Sequence, residues 1–339
     1  SKAILVPTAE RDGALGLGLF PPIFRGVRAI MYNSYEERAL INGVSNNQSV
    51  PGVVVGIGSE IPERSNPARF RQKFNMRDRF AIYVGRIDEN KGCKELFDYF
   101  TTYIREGVGK LSLVLIGNSI LPVPQHPRIR HLGFVDDIDK FDAMAAAELL
   151  IMPSYFESLS MVALEAWALG RPVVANGRCD VLRGQCVRSN AGLYYDNRQE
   201  FVESLRALER TKWLNVSLGR NGRQFFKDHY DWPVIERKYL DMISRLTATP
   251  ATHTLACVAD RLPWPSRPLA APPRVGVQPA HASAHSTRSA ARRWGPGAMP
   301  SPPATSRRRF RRTPRRIRCP PSSNISLTGS ATAPMSAMP

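Results

Sequence analysis

The run "ELLIMPSYFESLSMVALEAWALGRPVVAN", residues 148–176, decides the fold. Its two ends, "ELLIMP" and "PVVAN", are short apolar runs without polar alternation. Runs of that kind are strands buried on both faces, as in a parallel sheet. A parallel pair needs a crossover, and the Ala-rich segment from about Ser160 supplies a helical one. Ser158 and Ser160 stand where strand becomes helix, and serine suits that position because its hydroxyl caps free N–H groups. Two acids, Glu157 and Glu165, flank the turn with seven residues between them. Glu157 falls just before the helix and Glu165 about one and a half turns in; helical side chains lean toward the N-terminus. Both carboxylates are then expected to face a ligand lying over the helix start, where unpaired N–H groups and the macrodipole favour an anion. A plainer alternative has Glu157 supporting the helix dipole and Glu165 paired with Arg171.

The same alternation extends to both sides. "FAIYVG", "LSLVLIG", "IRHLGFV" and "GLYYD" read as further strands. "KELFDYFTTYIREG", a short helix from Asp139, and helices from Arg198, Trp213 and Trp232 read as their covers. The fold class expected is doubly wound α/β, with ligands bound at the carboxyl ends of the strands. The last helix is expected to use Val234, Tyr239, Leu240, Ile243 and Leu246 as its apolar positions. Upstream, "AILVP", "RAIMYNS" and "VVVGIG" alternate with "YEERALIN" in a smaller strand–helix series. The chain thus divides into three zones: residues 1–64, residues 65–248, and a tail, residues 249–339. The tail is rich in Pro, Ala, Ser and Arg and has no periodicity, so disorder is expected there. An Arg-only tail is also what a reading-frame change in a GC-rich gene would produce.

The chain of 339 residues has a formal charge of +18, but the tail holds fourteen Arg, no Lys and one acid, Asp260. It therefore supplies +13, and the first 248 residues are mildly basic at +5. The high charge thus points to unspecific nucleic-acid contact through the tail, not to a nucleic-acid-binding fold. Five cysteines without a C-x-x-C pair, and no signal peptide, lead to the expectation of reduced thiols in a cytoplasmic protein. No apolar run reaches the 18 residues of a membrane span.

Further features point to a diphosphate. In "YVGRIDENKG", Gly85 and Arg86 end a strand while Lys91 and Gly92 open a helix, so two cations are expected to aim at one point above the sheet. Gly117, Gly133 and the Phe134–Val135 backbone are expected to form a slot for a flat base, since glycine permits close approach. "DDID" at 136–139 resembles a metal-binding D-x-D, but its place before a helix favours Asp137 or Asp139 as the N-cap.

Together, residues from about 79 to 246 resemble the donor-binding domain of family 4, GT-B-fold retaining glycosyltransferases. The resemblance rests on "YVGRIDENKG", "LVLIG", "HLGFV", the 148–176 stretch, "AGLYY" and "YDWPVIERKYLDMI". It implies transfer of a sugar from a nucleotide-diphosphate sugar with retention, without metal or other cofactor. Carried onto this chain, it implies Arg86 and Lys91 on the diphosphate and Glu157 on the donor sugar. Glu165 would hold the ribose, and the backbone of Leu159, Ser160 and Met161 the phosphates. Implied partners are a glycan, lipid or small-molecule acceptor and a membrane surface met peripherally. The first 64 residues resemble the end of the family's acceptor-binding domain, with its opening strands absent, so a truncated front is expected. Other readings of the same residues are a GT-B sugar-nucleotide epimerase, an inactive remnant that binds nucleotide, and a non-enzymatic nucleic-acid binder working through the tail.

Overall fold

The computed structural model describes residues 3–11 and 13–248; the expected tail, with Cys257 and Cys319, lies outside the described residues. Two parallel sheets form in chain order. The first has three strands, β1 (Ile4–Leu5), β2 (Ala29–Tyr32) and β3 (Gly52–Val54), joined through α1 (Phe20–Gly26) and α2 (Tyr35–Ser45). After α3 (Pro67–Lys73) the larger sheet begins. Its strands are β4 (Phe80–Val84), β5 (Ser112–Ile116), β6 (Ile129–His131), β7 (Leu149–Met152), β8 (Val173–Asn176) and β9 (Gly192–Tyr195). The covering helices are α4 (Cys93–Arg105), α5 (Asp137–Ala146), α6 (Met161–Ala168), α7 (Asp180–Ser189), α8 (Arg198–Arg210), α9 (Lys212–His229) and α10 (Trp232–Ala248).

Alternate residues of the central strands enter two different cores. Phe80, Ile82, Val114, Ile116, Leu150 and Met152 pack on one side of the sheet, with Leu164, Trp167 and Phe226. Ala81, Tyr83, Leu113, Leu115, Leu149 and Ile151 pack on the other, with Leu96, Phe100, Phe201 and Leu205. A strand with an apolar residue at every position needs two apolar covers, and the helices provide them. The strand order is β6-β5-β4-β7-β8-β9. The chain runs outward from β4 to β6 and then returns to β7 beside β4, so the β4/β7 boundary is the topological switch point.

Three expectations need correction. The helix α7, "DVLRGQCVRS", has no counterpart among the elements expected from sequence. The N-cap of α5 is Asp136, whose carboxylate accepts from the Asp139 N–H at 2.8 Å, and not Asp137 or Asp139. In α10 the buried residues are Ile235, Met242 and Leu246, while Leu240 and Ile243 are exposed. The face is turned because this helix packs on the small sheet as well as the large one. Ala29, Met31 and Val55 share its core, and the Arg28 guanidinium donates to the Leu246 carbonyl. Lys238 adds a bond from Nζ to the Val55 carbonyl at 3.1 Å.

Cys93, Cys179 and Cys186 are free and buried, and burial pushes the Cys179 thiol up to about 11. Among the described residues no helix is long and apolar enough to cross a membrane.

Candidate functional site

Two loops meet at the switch point. The first leaves β4 at Gly85, whose N–H donates to the Ile116 carbonyl at 2.9 Å. Tyr83 then turns its hydroxyl onto the Arg86 carbonyl at 2.6 Å and fixes the loop's course. Asp88 organises the rest of the loop. One carboxylate oxygen accepts the Lys91 N–H at 2.7 Å and the other accepts Nε of Arg86. Burial alone would raise the Asp88 pKa, but these donors and the two nearby cations outweigh it and hold the carboxyl below its usual range. Arg86 stays 64% exposed, so its guanidinium remains open to a ligand. Gly92 has φ +71°, and a Cβ there would stand 2.1 Å from the Pro153 carbonyl oxygen. Glycine is therefore required where this loop crosses the end of β7.

The second loop leaves β7 through Pro153, whose carbonyl accepts from Asn176 Nδ2 at 3.0 Å. It brings Glu157 to Lys91, with Nζ to Oε1 at 3.0 Å. Residues 66 positions apart thus form one ion pair across the switch point. Ser160 then caps α6 by accepting from the Ala163 N–H at 3.4 Å. Its hydroxyl is committed to the helix and its side chain is buried, as is that of Leu159. Any part these two play toward a ligand falls to their backbone.

Glu165, in the second turn of α6, is 8% exposed. Its Oε1 accepts from Ser59 Oγ at 3.2 Å and from Lys140 Nζ at 3.3 Å. Oε2 is buried without a partner. Arg171 does not pair with it; that guanidinium donates to the Ala147 carbonyl at 3.1 Å. The pairing with Arg171 is thereby overturned, because residues 59 and 140 reach the carboxylate first.

The expected base slot has a glycine frame. Gly117 N–H donates to the Gly133 carbonyl at 2.8 Å, joining the ends of β5 and β6. With φ +131°, a Cβ on Gly117 would lie 2.0 Å from the Gly85 carbonyl oxygen. Phe134 is 79% exposed, whereas Val135 packs on the core. The structure therefore brings Arg86, Lys91 and Glu157 together through Asp88, and sets Gly85 beside Gly117. Glu165 and Met161 lie on the helix that Glu157 introduces.

Sequence reasoning missed four residues here. Asp88 was legible as the Asp three positions before Lys91, within the short reach over which an Asp side chain accepts from a nearby backbone N–H. Ser59 and Lys140 carried no such signal, since their partner lies 106 and 25 residues away. Arg178, after β8, pairs with Glu95 and stands 5.2 Å from the Tyr155 ring centroid.

Comparison with known proteins fits this geometry. Residues 78–210 match the family described as Glycosyl transferases group 1. Over this stretch the chain is similar to group 1 glycosyltransferases. A protein of the Klebsiella pneumoniae cps region is 31% identical over 159 residues, 43% of this chain and 42% of that protein. Mannosylfructose-phosphate synthase of Agrobacterium fabrum is 24% identical over 198 residues, 53% of this chain and 43% of the synthase. The chain thus spans less than half the length of these two relatives. The solved structure of Anabaena HepE in complex with UDP and glucose superposes with a TM-score of 0.58 at 15% identity, covering 72% of this chain and 71% of HepE. At that identity the likeness shows the fold, which is of the GT-B type. The matched stretch begins just before β4 and holds every residue of the site except Ser59.

Proposed function

We propose that the chain binds a nucleotide-diphosphate sugar at the β4/β7 switch point and transfers the sugar, with retention and without a metal, to a glycan, lipid or small-molecule acceptor. The observation that carries this reading is the Lys91–Glu157 pair, tied to Arg86 through Asp88 at the carboxyl edge of the sheet. The four side chains are formally neutral together, two cations against two acids. An entering diphosphate draws Lys91 toward itself, and the same movement releases Glu157 to accept a hydroxyl of the donor sugar. Arg86 supplies a fork and the backbone at Leu159–Met161 supplies unpaired N–H groups for the remaining phosphate oxygens. Glu165 takes the ribose, and Gly117 with the Phe134–Val135 backbone takes the base.

In the transfer the anomeric carbon–oxygen bond to the diphosphate breaks while the acceptor oxygen bonds to the same carbon on the same face. The acceptor proton passes to the departing diphosphate. Charge grows on that leaving group, where fixed positive groups act most strongly. The acceptor side is assigned to residues 1–64 and the donor side to residues 65–248. HepE, solved with UDP and glucose, lends the donor class its support.

Saturation-transfer NMR with uridine, guanosine and adenosine diphosphates tests the binding step. Binding of one of them, retained when residues after 248 are removed, is expected. Silence from all three contradicts the reading, and loss on truncation moves the activity to the tail. The anomeric configuration of any transferred sugar, read from its one-bond C–H coupling, tests retention.

A further inference from the structure

We infer that Lys140 is a positioning residue that sets the ribose selectivity of the donor site by fixing the Glu165 carboxylate. The inference rests on the proposed function, which assigns Glu165 to the ribose. Lys140 lies in the first turn of α5, and its side chain is 20% exposed. Its Nζ stands 4.3 Å from the Phe141 ring centroid and bonds Asp137 Oδ1 at 3.1 Å. The ring and the neighbouring acid hold the ammonium at one place, and from there it reaches Glu165 Oε1 at 3.3 Å. Ser59 Oγ donates to the same oxygen at 3.2 Å.

Both protein donors therefore fall on Oε1, while Oε2 is buried without any. A buried carboxylate oxygen with no donor is an acceptor in search of a hydroxyl. Two donors on one oxygen also stop the carboxylate from turning about its terminal bond, which is otherwise a soft torsion. The arrangement suits a ligand that presents hydroxyl donors and no further cation. A ribose is such a group; a 2′-deoxyribose lacks one of the donors. A site built to bond a hydroxyl rejects the analogue that lacks it, because its own acceptor is then left unpaired.

The test compares ribo- and 2′-deoxyribonucleoside diphosphates by calorimetry on the wild-type chain and on Lys140→Met, Lys140→Arg and Ser59→Ala. Wild type is expected to prefer the ribonucleotide by roughly tenfold, the worth of one hydrogen bond to a charged group. In Lys140→Met the preference falls to roughly twofold or less, while Lys140→Arg keeps it. Ser59→Ala narrows the ratio in the same direction, and decides the matter if Lys140→Met does not fold. A ratio unchanged from wild type in both Lys140→Met and Ser59→Ala overturns the inference. A wild-type chain that binds neither nucleotide overturns the donor-site reading itself, and this inference with it.

Discussion

Lys91 is held from both ends: its N–H by Asp88 and its ammonium by Glu157. One side chain thus reports on two loops, and its spacing from Asp88 was open to sequence reading because Asp side chains bond nearby backbone N–H groups. A second buried carboxylate, Glu37 in α2, obeys different physics. Its oxygens accept from the Ala9 and Asn33 N–H groups at 2.6 Å each. Burial pushes the carboxyl up to about 7 from 4.5, against the lowering effect of those N–H donors. Between those values the unfolded chain releases a proton that the folded chain keeps, so stability falls as pH rises from about 4.5 to about 7 and levels off beyond. Chemical denaturation across this range is expected to show that decline in the wild-type chain and a flatter course in Glu37→Gln. An equal pH dependence in both would remove Glu37 as its source.

At the level of elements, the glycines at strand ends carry more than their weight. The sequence placed Gly85, Gly117 and Gly133 at the ends of three strands, but not the contact between the first two. Gly117→Ala would push a methyl group against the Gly85 carbonyl from a backbone conformation unfavourable to alanine. A loss of about 1–3 kcal/mol is expected, measured as a shift of the denaturant midpoint at constant slope. A change within about 0.5 kcal/mol would mean the two strand ends can separate freely. The strands β4, β5, β7 and β8 were legible because double burial leaves continuous apolar runs. The helix α7 was not, for its sequence has a glycine, Gly184, near its centre. A Cβ there would stand 1.9 Å from Glu36 Oε1, so the glycine makes room for a side chain of the other sheet's helix. Local propensity gave way to a distant contact, which no local pattern reveals. The apolar face of α10 follows the same rule, since Ala29, Met31 and Val55 of the small-sheet region share the core it covers.

Across the whole molecule the two sheets are tied by a few polar links with large sequence separations. Arg188 of α7 grips Glu36 of α2 with both terminal nitrogens, at 2.5 and 3.0 Å, and its guanidinium carbon lies 5.1 Å from the Tyr35 ring centroid. Both side chains are about one-fifth exposed, where a bidentate pair keeps much of its strength. A double-mutant cycle with Glu36→Gln and Arg188→Met is expected to give a coupling of about 1.5 kcal/mol. Additive single effects would show that the pair contributes nothing to holding the sheets together. Ser59, on the connection between the sheets, extends this tie to Glu165.

The donor site stands on Arg86 and Lys91 meeting one diphosphate, and calorimetry on Arg86→Ala and Lys91→Ala addresses that directly. Against wild type, each variant is expected to lose at least about 1.5 kcal/mol of affinity for a nucleoside diphosphate. The same variants should lose less for the matching nucleoside, which has no phosphate to grip. Affinity for the diphosphate unchanged in both variants would contradict the assignment of this cleft to a nucleotide sugar.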